Sequence, residues 1–397
     1  MVYTPTRGDV LARFGEGIQA IPRGGDTVSA DVYRDPTRYE LERELVLRTS
    51  WMIGARGSEI ADPGDWVIYE GHGETVVITR QQDGGVSAFH NVCQHRGARL
   101  TRGDSSGCSR RFVCPWHGWV YDTTGLVVGV PERERFVPEH LDGLRSPEVA
   151  AQEWGGFVWI NLAGPDEAPD LLDWLGPDIV ADLGRFRVEE MILHTKVVYD
   201  LNANYKAVVD GFNEVYHATE LHHTDKEFTA AQRDTTYHLT GPNSMMFVPR
   251  SDSLAKLAAT GDHHKYAICH YVVFPNTVFN NNPRHIQVFQ PIPISVDLTR
   301  FVLWELIYPP DGPDDAGYAD YLDKTMAHWA VLQGVIEEDV FVFNELNATR
   351  HSAGYRRNIF GAQECKPIEY HATMDHIVQG GSAMDRWKDH PASATAD

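Results

Sequence analysis

The chain has 397 residues, 42% of them hydrophobic and 23% charged, which is a globular composition with room for two domains, each with its own core. A formal net charge of −21 argues against nucleic acid or an anionic membrane as partner. No apolar run reaches the length of a bilayer span, and the opening MVYTPTRGDV lacks the basic-then-apolar plan of a signal peptide, so a cytoplasmic location is expected.

Residues 1–45 are mixed and polar, with a helical stretch expected at 39–49. From Trp51 the texture becomes β. Trp66-Val67-Ile68-Tyr69 and Thr75-Val76-Val77-Ile78-Thr79 are β-branched or aromatic runs, bounded by glycine-rich breaks at 71–73 and 83–85. Residues 86–91 lead into Cys93-Gln94-His95, residues 111–113 lead into Cys114-Pro115-Trp116-His117, and 156–161 close the region. Short strands with turn signals predict a small antiparallel β domain over 46–164, with the two Cys/His loops at its tip.

Two Cys and two His are four ligands, which suits a zinc ion or a Rieske [2Fe–2S] cluster, where two His replace two Cys on one iron. Zinc fingers usually pair Cys with Cys and His with His. Here each loop is mixed, and 18 residues separate His95 from Cys114. Arg96-Gly97 and Gly118-Trp119 complete the strings CQHRG and CPWHGW, which look like the Rieske signature C-x-H-R-G … C-P-[YW]-H-G-W, and by that resemblance Cys93, His95, Cys114 and His117 read as cluster ligands. The other three cysteines are scattered, and no disulfide framework is suggested. Cys108 lacks a paired His and reads as a reduced bystander. Five arginines (Arg96, Arg99, Arg102, Arg110, Arg111) against Asp104 give a local excess of +4, a candidate docking patch for an acidic electron donor.

Residues 163–169 read as a linker. Beyond it, 197–224 looks largely helical, 271–279 and 301–308 look like strands, and 318–347 looks like one long helix. That order predicts an α+β domain with a helix packed on a curved antiparallel sheet, comprising 1–45 and 165–397. Residues 202–223 read NANYKAVVDGFNEVYHATELHH. His217 and His222 are five apart and converge only if the helix ends or bulges between them. Glu214 sits one turn before His217, and Asp210 and His223 complete the set. Two His and an acid suggest a 2-His-1-carboxylate iron site with open positions for O₂ and substrate. The carboxylate is expected from the late helix: Asp339 first, Glu338 second.

With both constellations placed, the chain resembles the α (oxygenase) subunits of Rieske non-haem iron ring-hydroxylating oxygenases. The family pattern D/E-x-Y-H-x-x-x-x-H matches Glu214-Val215-Tyr216-His217 through His222. The resemblance implies a Rieske domain followed by a helix-grip, START-like catalytic domain. It implies His217, His222 and Asp339 as iron(II) ligands, and Glu214 as the acid joining the two metal centres across a subunit boundary in a head-to-tail homotrimer. Asp210 stands where the family usually has Asn, and the family's Gln after the late acid pair is absent. The Rieske centre would store one electron and pass it on, and iron(II) would activate O₂ once substrate is in place. No G-x-G-x-x-G fingerprint is present, so nicotinamide electrons are expected through a separate ferredoxin or reductase. A β subunit is left open.

Phe212, Phe228, Met245, Met246, Phe247, Tyr271, Phe274 and Phe279 are candidates for an apolar pocket. Arg250 and Arg284 are the only cations offered as a carboxylate clamp. The expected reaction is cis-dihydroxylation of an apolar aromatic or polycyclic substrate. The alternatives are monooxygenation, oxidative O- or N-demethylation, or simple electron transfer without a catalytic iron.

Overall fold

The computed structural model describes residues 27–222, 235–250, 253–281, 285–308 and 318–388; His223, Phe228 and Arg284 lie outside them. The chain divides into two compact units, Leu47–Leu171 and Met1–Val46 with Leu172–Asp397. No helix among the described residues is long and apolar enough to cross a membrane.

The first unit is a seven-stranded antiparallel sheet, in the order Met52–Arg56, Phe157–Asn161, Glu148–Trp154, Val86–His90, Glu74–Arg80, Asp65–Gly71 and Ser106–Cys108. A separate three-stranded ribbon is built from Phe112–Val113, Val120–Tyr121 and Val127–Gly129. Alternate side chains of these strands bury Trp66, Val77, Phe89, Phe112, Trp119 and Tyr121 in one cluster, and Cys93 and Cys114 belong to it. The two thiols therefore grow out of packed core. The expected linker stays with this unit: Trp51 Nε1 donates to the Pro169 carbonyl at 2.8 Å, and the Leu171 amide donates to Gln152 Oε1 at 3.1 Å.

The second unit is also built on a seven-stranded antiparallel sheet. Its order is Ile192–Leu201, Leu298–Ile307, His285–Ser295, Thr277–Asn281, Ala267–Val273, Asn243–Pro249 and Thr236–Thr240. The long helix Tyr318–Arg350 presses Trp329, Ile336 and Phe343 onto Val272, Val278, Phe289, Phe301 and Leu303 of the sheet. This is the α+β, helix-on-sheet arrangement the sequence leads one to expect.

Two expectations are corrected. Residues 197–201 are strand, not helix. Their exposure alternates strictly along Ile192–Leu201, the period of a half-covered strand. Helix starts only at Tyr205, where the Asn204 side chain caps it by accepting from the Lys206 amide at 3.1 Å. Residues 271–279 are two strands of a hairpin that turns between Val273 and Thr277. Pro275 lies in that turn and could not have donated to a continuing ladder.

Within this unit a buried ion pair ties the helix Pro36–Glu42 to the helix Tyr205–Phe212. Lys206 Nζ lies 2.5 Å from Glu42 Oε2, both side chains are fully buried, and Arg38 Nε holds the other oxygen at 2.7 Å. Removing one partner strands a charge. Glu42→Ala is expected to cost about 3–5 kcal/mol of unfolding free energy in denaturant titration. The double variant Glu42→Leu/Lys206→Met should recover part of it.

Candidate metal centres

The two Cys/His loops are closed by the same pair of backbone bonds. The Cys93 amide donates to the Ala98 carbonyl and the Gly97 amide to the Cys93 carbonyl, both at 2.8 Å. In the second loop the Cys114 amide donates to Trp119 at 2.8 Å and the Gly118 amide to Cys114 at 3.1 Å. Gly97 and Gly118 hold φ of +74° and +72°, the left-handed region that glycine adopts without strain. Both cysteines are buried, while both histidines sit partly open at the edge.

His95 Nδ1 and His117 Nδ1 face each other at 3.1 Å, with the rings edge to face. Two imidazole nitrogens turned on one point, beside two buried thiols, are the donor set of a mixed Cys₂His₂ centre. The His95 ring stacks on Trp119 at 5.0 Å. Tyr121 supports the first thiol: its hydroxyl accepts from the Gln94 amide at 2.8 Å and donates to Cys93 Sγ at 3.3 Å. Hydrogen bonds to cluster sulfurs are one of the ways a protein tunes potential. Burial pushes the Cys93 thiol up, and the Tyr121 hydroxyl partly offsets it. Cys108 is exposed on the strand Ser106–Cys108, whereas the four ligand candidates sit in loops.

The second centre lies in the larger unit. The helix Tyr205–Phe212 ends at Asn213, and a short helix, Ala218–Leu221, follows. His217 and His222 flank that short helix at its two ends, so the chain turns between them. Glu214 stands in the intervening loop rather than on a helix face. The rings of His217 and His222 are 5.1 Å apart and nearly perpendicular. Both Nε2 atoms point at Asp339 Oδ1, at 3.7 and 3.6 Å. Donor atoms of His217, His222 and Asp339 all lie within 4.8 Å of one another, a spacing that a metal ion can fill.

Each imidazole is held from behind. His217 Nδ1 bonds Glu214 Oε1, and the His217 amide donates to Glu214 Oε2 at 3.1 Å. His222 Nδ1 donates to Glu338 Oε2 at 3.0 Å. Glu338, the second choice for the metal carboxylate, thus bonds a candidate ligand histidine, and its side chain is not among the three converging donors. A carboxylate on the far nitrogen fixes tautomer and ring angle and makes the near nitrogen more basic. Burial, reinforced by Glu214 and Glu338 and opposed by His217, pushes the Asp339 carboxyl up to about 7. Burial works against a charged His217, but Glu214 outweighs it and raises that pKa. Three acids crowding two histidines is an arrangement that a divalent cation relieves.

Gly211 sets the spacing between the two helices involved. A Cβ there would lie 2.8 Å from the Phe343 ring, one turn beyond Asp339 on the long helix. Asp210 does not join the three donors. It accepts from Tyr33 Oη at 2.6 Å and lies 3.0 Å from His371 Nε2, and Asn358 holds the same tyrosine at 2.8 Å. This network opens on a cavity of about 300 Å³ that Glu214 and His217 also line. Sequence separation hid it, since residues 33, 210 and 371 carry no local signal.

A second, narrower cavity of about 40 Å³ lies against the metal donors, and the sheet side of its wall includes His270, Asn280 and Gln287. Of the described residues expected to make an apolar pocket, Phe212 lines it. Met245, Met246, Phe247, Tyr271, Phe274 and Phe279 are packed core elsewhere. Among the described residues, one other triad has converging donors, Asp182, His263 and His264. There the Asp182 carboxylate already takes His263 Nε2 at 3.0 Å, His264 Nε2 at 3.2 Å and the Tyr271 hydroxyl, which accounts for it as a structural anchor.

Comparison with known proteins identifies two domains in the chain. Residues 50–147 match the Rieske [2Fe-2S] domain, and residues 188–380 match the ring hydroxylating alpha subunit (catalytic domain). The carnitine monooxygenase oxygenase subunit of Escherichia coli (strain K12) is 31% identical over 208 residues, 52% of this chain. The chain spans about half the length of that relative, 55%. The benzene 1,2-dioxygenase subunit alpha of Pseudomonas putida is 25% identical over 356 residues, 78% of this chain and 76% of that one. Among solved structures, the quaternary ammonium Rieske monooxygenase CntA with L-carnitine superposes with a TM-score of 0.73 at 20% identity, covering 95% of this chain and 99% of that chain. The naphthalene 1,2-dioxygenase from Rhodococcus sp. gives 0.71 at 18%, covering 96% and 100%. The last two likenesses speak for the fold, while the two matched domains, which together take in most of the chain, place the protein in the family of Rieske non-haem iron oxygenase α subunits.

Proposed function

We propose that this chain is the oxygenase component of a multicomponent Rieske oxygenase, acting on a small organic substrate held beside His217, His222 and Asp339. The observation that carries the reading is the convergence of both Nε2 atoms on Asp339 while both Nδ1 atoms rest on glutamates. A [2Fe–2S] cluster on Cys93, His95, Cys114 and His117 and an iron(II) on the triad would supply electron storage and O₂ activation. The protein's own part is positioning. Glu214 and Glu338 fix the ligand imidazoles, and the buried wall of the cavity orients substrate and limits water. A head-to-tail homotrimer, as the family resemblance implies, would bring Glu214 of one chain to His95 or His117 of the next.

Two reactions fit the centre: cis-dihydroxylation of an aromatic ring, and monooxygenation or oxidative demethylation. The polar lining by His270, Asn280 and Gln287 favours a substrate with polar groups over a plain hydrocarbon. The relatives include both a carnitine monooxygenase and a benzene dioxygenase. Iron analysis should find two cluster irons and one mononuclear iron per chain; the cluster irons alone would leave only an electron-transfer protein. A substrate screen under ¹⁸O₂ with a surrogate reductase separates the two reactions, since products carry either both labelled atoms or one.

Electrons would arrive from a ferredoxin or reductase. Arg96, Arg102, Arg110 and Arg111 are exposed beside the cluster loops, and Arg99 pairs with Glu70 at 2.9 Å. Arg110→Glu/Arg111→Glu should slow cluster reduction by an acidic ferredoxin about tenfold or more at low salt, with the difference shrinking as salt is added. Stopped-flow absorbance reads this directly, and equal rates would remove the patch from the docking surface.

A further inference from the structure

The wall of the narrow cavity is one row of the sheet. In the strand register His270 faces Asn280, Asn280 faces Gln287, and Gln287 faces Glu305. Directly opposed residues share a face, so these four form a polar ladder across four neighbouring strands. The row beside it on the same face, Val272, Val278 and Phe289, is apolar core. His270, Asn280 and Gln287 line the cavity together with His217, His222 and Asp339. Glu305 is the next rung outward from the metal donors.

All four ladder residues are buried; Glu305 is 0% and Gln287 1% exposed. The ladder makes one internal bond, from Asn280 Nδ2 to Gln287 Oε1 at 3.1 Å. His270 Nδ1, Asn280 Oδ1, Gln287 Nε2 and both Glu305 carboxyl oxygens have no hydrogen-bond partner. Buried polar atoms are almost always satisfied, so unsatisfied atoms on three residues of the cavity wall, with both Glu305 oxygens one rung behind that wall, mark a place prepared for a guest. With Glu305 as a carboxylate the unsatisfied set is dominated by acceptors, three oxygens against one amide nitrogen and one ambivalent imidazole nitrogen. Acceptors gathered around a carboxyl group call for a donor with positive charge.

We propose that the His270–Asn280–Gln287–Glu305 ladder is a subsite for an organic ammonium group of the substrate, with Glu305 as its charge partner and the reacting carbon lying toward His217, His222 and Asp339. The inference rests on the oxygenase reading above, whose triad supplies the reacting end. Burial, opposed in part by Gln287, pushes the Glu305 carboxyl up to about 9, so in the empty protein it is a neutral acid at neutral pH. The other titratable groups nearby are His285, 3.9 Å away on the neighbouring strand, and His328 of the long helix, whose ring lies 5.0 Å from that of His285. An arriving ammonium ion would draw Glu305 to its carboxylate form and release about one proton.

The test uses the metal-loaded protein and isothermal titration calorimetry with n-butylammonium and n-hexylammonium, against n-butanol and n-hexanol as neutral controls. Wild type should bind the ammonium ions about tenfold tighter or more than the alcohols, with an enthalpy that depends on the buffer's ionisation heat. Glu305→Gln, which keeps the shape and removes the charge, should lose that preference. Equal affinity for both probe classes, no binding of either, or a preference retained in Glu305→Gln would each overturn the subsite. Binding needs no turnover, so a failed subsite and a failed oxygenase reading are told apart by the iron count: absence of the mononuclear iron sinks the second, whatever the amines do.

Discussion

His217→Ala is expected to abolish product formation while leaving the visible absorption of the Rieske cluster unchanged. His217 provides one of three converging donors, and its Nε2 is 3.7 Å from Asp339 Oδ1. A site that has lost one of three protein ligands should fall from about one bound iron to near zero, because even losing a partner behind a ligand costs 10–100-fold in affinity or activity. The cluster should survive because its four candidate ligands belong to the other compact unit, whose hydrophobic core includes Cys93 and Cys114. Elemental iron and the cluster spectrum, measured on one sample, report both. Wild-type turnover by the variant would remove His217 from the ligand set.

Glu214→Gln should keep both metals and still block turnover, by about 100-fold or more. The glutamate holds His217 twice, through the ring nitrogen and through the backbone amide. Gln retains an acceptor but loses the charge that raises the His217 pKa. The informative comparison is Glu338→Gln, which makes the same change behind His222. If glutamates only orient their histidines, the two variants should fall equally, within the 10–100-fold range for such partners. If Glu214 also links the centre to a neighbouring chain's cluster, it should fall further, and its reduced cluster should reoxidise more slowly with O₂ and substrate. Equal reoxidation rates in Glu214→Gln and wild type would end the bridging assignment.

The parts of these centres that could be read in the sequence are those whose geometry is local. Each cluster loop keeps its Cys and His within three residues of one another, closed by a glycine four positions after the Cys. His217 and His222 flank a single helical turn. Asp339 could be narrowed to an acid pair, but adjacent residues on a helix diverge by about 100°. Only the fold shows that one of the pair turns to the Nε2 atoms and the other to His222 Nδ1. The polar ladder was illegible because its members come from four strands, and register alone aligns them. Strands buried on both faces, such as Asn243–Pro249 and Thr277–Asn281, give no alternation to read. Residues 197–201 look helical in the sequence because they run straight into the helical pattern from Tyr205 onward, with no glycine or proline between strand and helix. The expected apolar pocket failed for a related reason. Aromatic residues near the site in sequence mostly fill the core, and closeness in sequence does not tell the two roles apart.

Gly211 has a consequence for how the protein holds together. Its missing side chain lets the histidine-bearing segment meet the long helix, and Glu338 reaches His222 across 116 residues of chain. A metal ion shared by His217, His222 and Asp339 would therefore act as a removable cross-link between two elements distant in sequence. Binding and docking of the helix are then thermodynamically linked: whatever loosens one weakens the other. Iron occupancy would then be a determinant of folding as well as of chemistry.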